Sequence, residues 1–312
     1  MVGVTGVNHI GASHAGLSPK NQYSHFMVDA SNVRTAHAQN HAQIPDLRGA
    51  IGVFDSGVGG LSVLRAIRQA LPDETLVYVA DTGHAPYGDK SSDYIVDRTL
   101  KVGRWLLDRG VRAITVACNT ATVVAVRELR QAIHLPVVAI EPAIKPAVGM
   151  TRSGVVGVLA TQQTVQSDSV THLIERYGHG TQVLLQACPG WVEQVEKGEL
   201  DSALTQELLR NHTHPLIQAS ADVWVLGCTH FPFLAAGLRQ IAGPGVQLID
   251  PADAVARELS RRLNEHPGLV SEVTAGAVAS PGADYFFTTG DVAQTSAVIS
   301  QLWGQPVWVQ SL

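Results

Sequence analysis

The sequence predicts an α/β protein built from two pseudo-symmetric, mostly parallel domains with the active site in the cleft between them, and three observations carry that prediction. From Ala50 onward, apolar β-branched runs alternate with helix-like stretches, the pattern of successive βαβ units. A lone thiol comes after such a run twice, in Ala117-Cys118-Asn119-Thr120-Ala121-Thr122 and again in Gly227-Cys228-Thr229-His230. Finally, Ile51-Gly52-Val53-Phe54-Asp55-Ser56 resembles Val156-Gly157-Val158-Leu159-Ala160-Thr161, and each precedes its cysteine by a similar interval. Parallel sheets gather their chemistry at the carboxyl ends of their strands. Two matched thiols therefore imply two half-sites facing one small substrate, an arrangement suited to proton transfer at carbon from opposite faces.

Composition bounds the rest. With 312 residues, 45% of them hydrophobic, 16% charged and a net charge of −5, the chain can bury a substantial core as one or two domains. Its 22 basic and 27 acidic residues are interspersed, leaving no basic stripe for a phosphate backbone, so nucleic acid is not an expected partner. Cys118, Cys188 and Cys228 form no CxxC pair, which argues against a disulfide framework or a zinc knuckle and for a reducing, cytoplasmic compartment. No apolar run approaches the roughly 18 residues of a membrane span, and the first 25 residues lack a basic start with an apolar stretch. The expectation is a protein that is neither secreted nor membrane-bound.

Taken in order, residues 1–48 are rich in Gly, Ser, Asn, Gln and His without a sustained period and read as a disordered extension, within which Met27 is an alternative start. Its histidines are irregularly spaced and read as solvated rather than metal-binding. Strands are expected at 51–54, 75–80, 113–117, 137–140, 154–159, 182–185, 223–226 and 246–249. Leu61, Leu64, Ile67 and Leu71 fall at helical spacing, as do Val102 and Leu106, and read as core stripes. The prolines around 141–146 mark the link between halves. The first domain is expected over 49–145 plus 254–312, the second over 146–253. A late strand near Tyr285, a helix and a final Val307-Trp308-Val309 return to complete the first domain.

Cys118 stands after a strand and precedes a helix that Asn119 or Thr120 is suited to cap; a helix N-terminus favours a thiolate and offers amides to an anion. A lone buried cysteine is more often an inert small hydrophobe, but Cys228 repeats the setting and adds His230, whereas Cys188 lacks it and reads as structural. Asp55-Ser56-Gly57-Val58-Gly59-Gly60 is a glycine-rich strand-to-helix turn that lets amides approach an anion, or else a simple tight turn with Asp55 as bystander. It lacks the third glycine of the dinucleotide fingerprint, because Ser62 occupies that position. The loop from Asp81 to Gly88 faces the same sheet edge, as a substrate contact or a plain turn.

These motifs together resemble the cofactor-independent aspartate/glutamate racemase family. GVFDSGVGGLSV at 52–63, PYGDKS at 86–91, ACNTAT at 117–122, LGCTHFPFL at 226–234 and FFTTGD at 286–291 occur in family order across residues 50–312. The resemblance implies racemisation of glutamate, supplying D-glutamate for peptidoglycan and so for cell shape, with neither cofactor nor metal. It implies that Cys118 and Cys228 are the acid/base thiols, that Asp55 assists the first, and that His230 and a glutamate assist the second. That glutamate is Glu196, since Val-Glu-x-Gly fits the family better than the surroundings of Glu193. Substrate would be held by Asp55, Ser56, Tyr87, Gly88, Asn119, Thr120, Thr229 and His230. Homodimers and, in members with extended N termini, activation by a cell-wall nucleotide precursor are further implications of the resemblance. The alternatives are racemisation of aspartate, a thiol hydrolase using Cys228 and His230, a dinucleotide-dependent oxidoreductase, and a two-lobed binding protein. The departure of the stretch Asp81 to Ala85 from the family's commoner Asp-Thr-Ala before Pro-Tyr-Gly affects only contacts of that loop.

Overall fold

Strand β1 (Ile51–Asp55) is buried along its whole length, as a strand must be when it lies inside a parallel sheet with helices on both faces. The computed structural model describes residues 46–265 and 281–312. Around β1 a six-stranded sheet forms in the order β10-β9-β2-β1-β3-β4. Its other members are β2 (Leu76–Ala80), β3 (Ala113–Val116), β4 (Val137–Ala139), β9 (Asp284–Thr288) and β10 (Val309–Ser311). A four-stranded sheet has the order β6-β5-β7-β8, from β5 (Val155–Ala160), β6 (Gln182–Ala187), β7 (Val223–Leu226) and β8 (Gln247–Ile249). Every strand pair in both sheets is parallel.

The run β2-β1-β3-β4 in the first sheet matches β6-β5-β7-β8 in the second, so the weak internal repeat is a repeat of topology. The first sheet differs by gaining β9 and β10 from the chain's last segment, with β9 pairing along the whole of β2. Between the strands run α1 (Leu61–Ala70), α2 (Ser92–Asp108), α3 (Asn119–Ala132), α4 (Ile144–Met150), α5 (Gln162–Val165) and α6 (Asp168–Tyr177). The later helices are α7 (Trp191–Glu196), α8 (Ala203–Gln218), α9 (Ala235–Ala242), α10 (Ala252–Glu265) and α11 (Val292–Trp303). Side-chain caps set several of the starts: Ser91, Ser167, Ser202 and Asp291 each accept a hydrogen bond from an amide in the first turn, worth about 1 kcal/mol apiece. Leu61, Leu64 and Ile67 face the core of α1 as their spacing requires.

The proline-containing stretch at 141–146 does not form a linker throughout, because α4 begins at Ile144 with Pro146 in its first turn, where a missing amide costs nothing. The final strand starts at Val309 rather than Val307, since its register is fixed by Val309 lying opposite Phe286, and Trp308 is left 64% exposed. Most of the extension expected over 1–48, with its histidines, lies outside the described residues. Of its last residues, Leu47 is buried against the first sheet's outer core. Among the described residues no helix is long and apolar enough to cross a membrane.

Candidate active site

Strand ends converge here, as the parallel topology demands. β3 ends at Val116, and the chain stays extended through Cys118 (φ −74°, ψ 121°) before entering α3. The thiol is therefore itself the N-cap, its Sγ accepting from Ala121 N–H at 3.4 Å, and neither Asn119 nor Thr120 caps the helix as expected. Both already lie inside the first turn, where their backbone is helical. Cys118 Sγ also donates to Ser56 Oγ at 3.3 Å. Burial pushes this thiol up to about 12, with the Asp55 carboxylate adding to the push and the Ser56 and Ala121 contacts opposing it.

Asp55, at the end of β1, is wholly buried. Its Oδ2 accepts from Gly57 N–H at 2.9 Å and its Oδ1 from Thr229 O–H at 3.0 Å, a bond between the two halves. Among the described residues Asp55 does not hydrogen-bond Cys118, so it acts on that thiol through charge. Burial raises its pKa, against the lowering pull of nearby His230 and of Gly57 N–H.

The second thiol sits where β7 gives way to a turn. Cys228 Sγ lies 3.7 Å from His230 Nδ1, and His230 Nε2 lies 2.6 Å from Glu196 Oε1. Glu196 closes α7, whose start is shaped by the left-handed Gly190 (φ 86°) and held by Trp191 packing on Phe231 at 4.7 Å between ring centroids. Although burial alone lowers the pKa of His230, its bonds to Cys228 and Glu196 lift it well above the usual imidazole range. The same Glu196 Oε1 accepts from Val58 N–H at 2.7 Å. The glycine-rich turn does cradle an anion, and that anion is the protein's own Glu196. Its glycines are required by closeness: a Cβ on Gly57 would lie 1.9 Å from Glu196 Oε1, and one on Gly59 2.2 Å from His230 Nδ1. Glu193, the alternative, makes no such bond among the described residues and borders a cavity of about 310 Å³ that Glu196 also lines.

At the rim, Tyr87 is buried and donates to Asp81 Oδ2 at 2.5 Å, and Arg98 pairs with both Asp81 oxygens at 2.8 and 3.0 Å. Gly88 lies against Thr161: a Cβ on Gly88 would lie 3.1 Å from Thr161 Cβ. Thr120 Oγ1 is 2.9 Å from Thr161 Oγ1, which donates to Thr164 at 3.0 Å. Sequence reasoning misses Thr161 and Thr164, though the repeat sets Thr161 opposite Ser56 and so carries the signal. Asn119 is buried with neither its amide nitrogen nor its oxygen bonded within the described residues. Thus Asp55, Ser56, Cys118, Asn119, Thr120, Glu196, Cys228, Thr229 and His230 share one locus between the sheets' carboxyl edges, with Tyr87 and Gly88 at its side. Cys188 is buried apart from this bonding, donating to Gln186 O at 3.4 Å. Among the described residues no cluster of His, Cys, Asp and Glu is arranged to hold a metal ion.

An α/β fold with paired thiols at equivalent strand ends is suited to acid/base chemistry at carbon. The chain belongs to the Asp/Glu/hydantoin racemase family, which matches residues 51–259. A glutamate racemase from Methylococcus capsulatus is 50% identical over 253 residues, covering 81% of this chain and 91% of the relative. Among solved structures, an Escherichia coli glutamate racemase in complex with L-glutamate and the activator UDP-MurNAc-Ala superposes with TM-score 0.73 at 33% identity, covering 85% of this chain and 98% of that one. A Bacillus anthracis glutamate racemase isoform gives TM-score 0.74 at 30% identity, with the same coverage.

Proposed function

We propose that this chain interconverts L- and D-glutamate by two-base catalysis with Cys118 and Cys228, supplying D-glutamate for peptidoglycan and hence cell shape, in the cytoplasm. The observation that carries the reading is the pair of thiols after β3 and β7, equivalent strands of the two sheets, each with its own proton-handling neighbours. In one direction the Cys228 thiolate takes the α-proton, breaking C–H and forming S–H, while Cys118 gives its proton to the opposite face of the carbon. The reverse direction starts with the two protons exchanged. Burial keeps Cys118 a thiol at neutral pH, fitting it to start as the acid, and His230 can return a proton to Cys228 as the imidazolium and take one from it as the neutral imidazole.

The carbanion-like transition state has its charge spread into the α-carboxylate, so donors fixed on that group lower the barrier. The amides at the start of α3, the Asn119 amide, which has no partner among the described residues, Thr120 and the backbone N–H of Thr229 are suited to this; an unbonded buried amide is costly unless a ligand bonds it. Ser56, Tyr87 and Gly88 complete the holding set, with Asp55 and His230 contributing to both binding and proton transfer. Incubation of the protein with L-glutamate in heavy water, with no cofactor added, tests the proposal. D-glutamate carrying deuterium at Cα is the expected product, and its absence rejects the reading.

The E. coli relative's activator is carried to this chain on the same terms. Faster turnover on adding UDP-MurNAc-Ala supports that step, and an unchanged rate rejects it. A homodimer is likewise part of the proposal and is checked by sedimentation.

A further inference from the structure

We infer that Tyr78 is a positioning residue for Cys228, acting through the Gly57–Val58 peptide group and Glu196. The inference rests on the two-thiol reading above and adds to it a group that lies on β2, outside the residues to which the family resemblance gives a role. Tyr78 is fully buried in the core, where a phenol hydroxyl must find a partner, and it donates to Gly57 O at 2.7 Å. Gly57 C=O and Val58 N–H belong to one planar unit, so holding the oxygen fixes the direction in which the N–H points. That N–H meets Glu196 Oε1 at 2.7 Å, the oxygen that also lies 2.6 Å from His230 Nε2.

Glu196 needs such a restraint. It ends a helix of six residues, its side chain is 18% exposed, and it borders the cavity of about 310 Å³, which Val58, Lys197, Thr82, Thr295 and Val298 also line. Released from Val58 N–H, the carboxylate has room to turn into that space and leave His230. A chain of contacts thus runs from Tyr78 through the peptide to Glu196, His230 and Cys228. The competing route is through Asp55: a Cβ on Gly60 would lie 2.6 Å from Asp55 Cβ and 3.0 Å from the Tyr78 hydroxyl, so the phenol is also near that carboxylate.

The two routes separate in a double-mutant cycle measuring kcat, KM and the thermal midpoint for wild type, Tyr78→Phe, Glu196→Gln and the combination. Tyr78→Phe is expected to lower kcat about tenfold with KM within about twofold, the scale of one hydrogen bond lost from a relay. In the Glu196→Gln background the same change is expected to cost less than about twofold, because the group it steers is already disabled. Tyr78→Met, which fills the same core space without a hydroxyl, should follow the same pattern and carries the test if Tyr78→Phe folds poorly. Equal losses from these changes in both backgrounds, or an unchanged kcat in the Tyr78→Phe enzyme, overturn the inference. An active wild type with multiplicative losses overturns this inference alone, whereas a wild type without racemase activity overturns the two-thiol reading as well.

Discussion

The two halves share a strand order and differ in how each manages its thiol. In the first, Asp55 stands at the end of β1, and Cys118 sits against Ser56 with that carboxylate nearby. The equivalent end of β5 is Ala160, which carries no proton, and the second half instead draws on His230 beside its thiol and Glu196 from α7. A repeated scaffold therefore supplies matched positions for two sulfur atoms while leaving their protonation to unrelated side chains. The proposed two-base mechanism needs opposite protonation on its two sides, and unlike neighbours suit that need. The halves are also interlocked at this point, because Thr229 reaches Asp55 and Glu196 reaches Val58.

The largest test of this comparison is removal of either sulfur. Cys118→Ser and Cys228→Ser are each expected to lower racemisation by about a thousandfold or more, since neither face can be served by the other thiol. Retention of substantial L-to-D conversion in either variant would break the assignment. The first half's rim should be the more sensitive in stability, for Asp81 is buried at 0% exposure and depends on Arg98. Arg98→Met leaves that carboxylate uncompensated and is expected to cost about 3 kcal/mol in urea unfolding. A change below about 1 kcal/mol would mean that Tyr87 and Thr289 suffice to hold it.

A smaller effect sharpens the contrast from the other side. Gly59→Ala places a methyl 2.2 Å from His230 Nδ1 and is expected to lower kcat about thirtyfold while unfolding within about 1 kcal/mol of wild type. An unaltered kcat would show that His230 can shift without consequence for Cys228. A further effect lies in alkaline stability. Cys118 is raised from 9.0 to about 12, so between those values the unfolded chain releases a proton that the folded chain keeps. Its contribution is therefore complete below about pH 9 and fades as pH climbs toward 12, with a slope of about 1.4 kcal/mol per pH unit. Cys118→Ser should flatten the fall in unfolding free energy over that window, and an unchanged slope would place the proton uptake elsewhere.

Much of this was legible in the sequence for a physical reason: parallel strands buried on both faces are short continuous apolar runs, and the residues just after each run must lie at one edge of the sheet. That logic placed Asp55, Cys118 and Cys228 together without a coordinate. It gave the ends of strands less well, because register belongs to the partner strand, as Val309 opposite Phe286 illustrates. Glu193 and Glu196 lie one helical turn apart and both border the same cavity, so spacing could not choose between them; the 2.6 Å contact with His230 supports Glu196. The bond from Val58 N–H spans 138 positions of chain and uses a backbone group that every residue except proline possesses. No pattern of side chains can announce it, and Tyr78 was hidden for the same reason, as a core aromatic whose hydroxyl meets a carbonyl.

The late arrival of β9 and β10 has a consequence for biosynthesis. The second sheet is assembled from one uninterrupted stretch, whereas the first leaves the edge of β2 open until Asp284–Thr288 has been synthesised. On a translating ribosome the downstream lobe can be finished while the upstream one still presents unpaired amides and carbonyls, a surface prone to wrong association. A nascent chain stalled before Asp284 should thus be the species that chaperones engage most strongly.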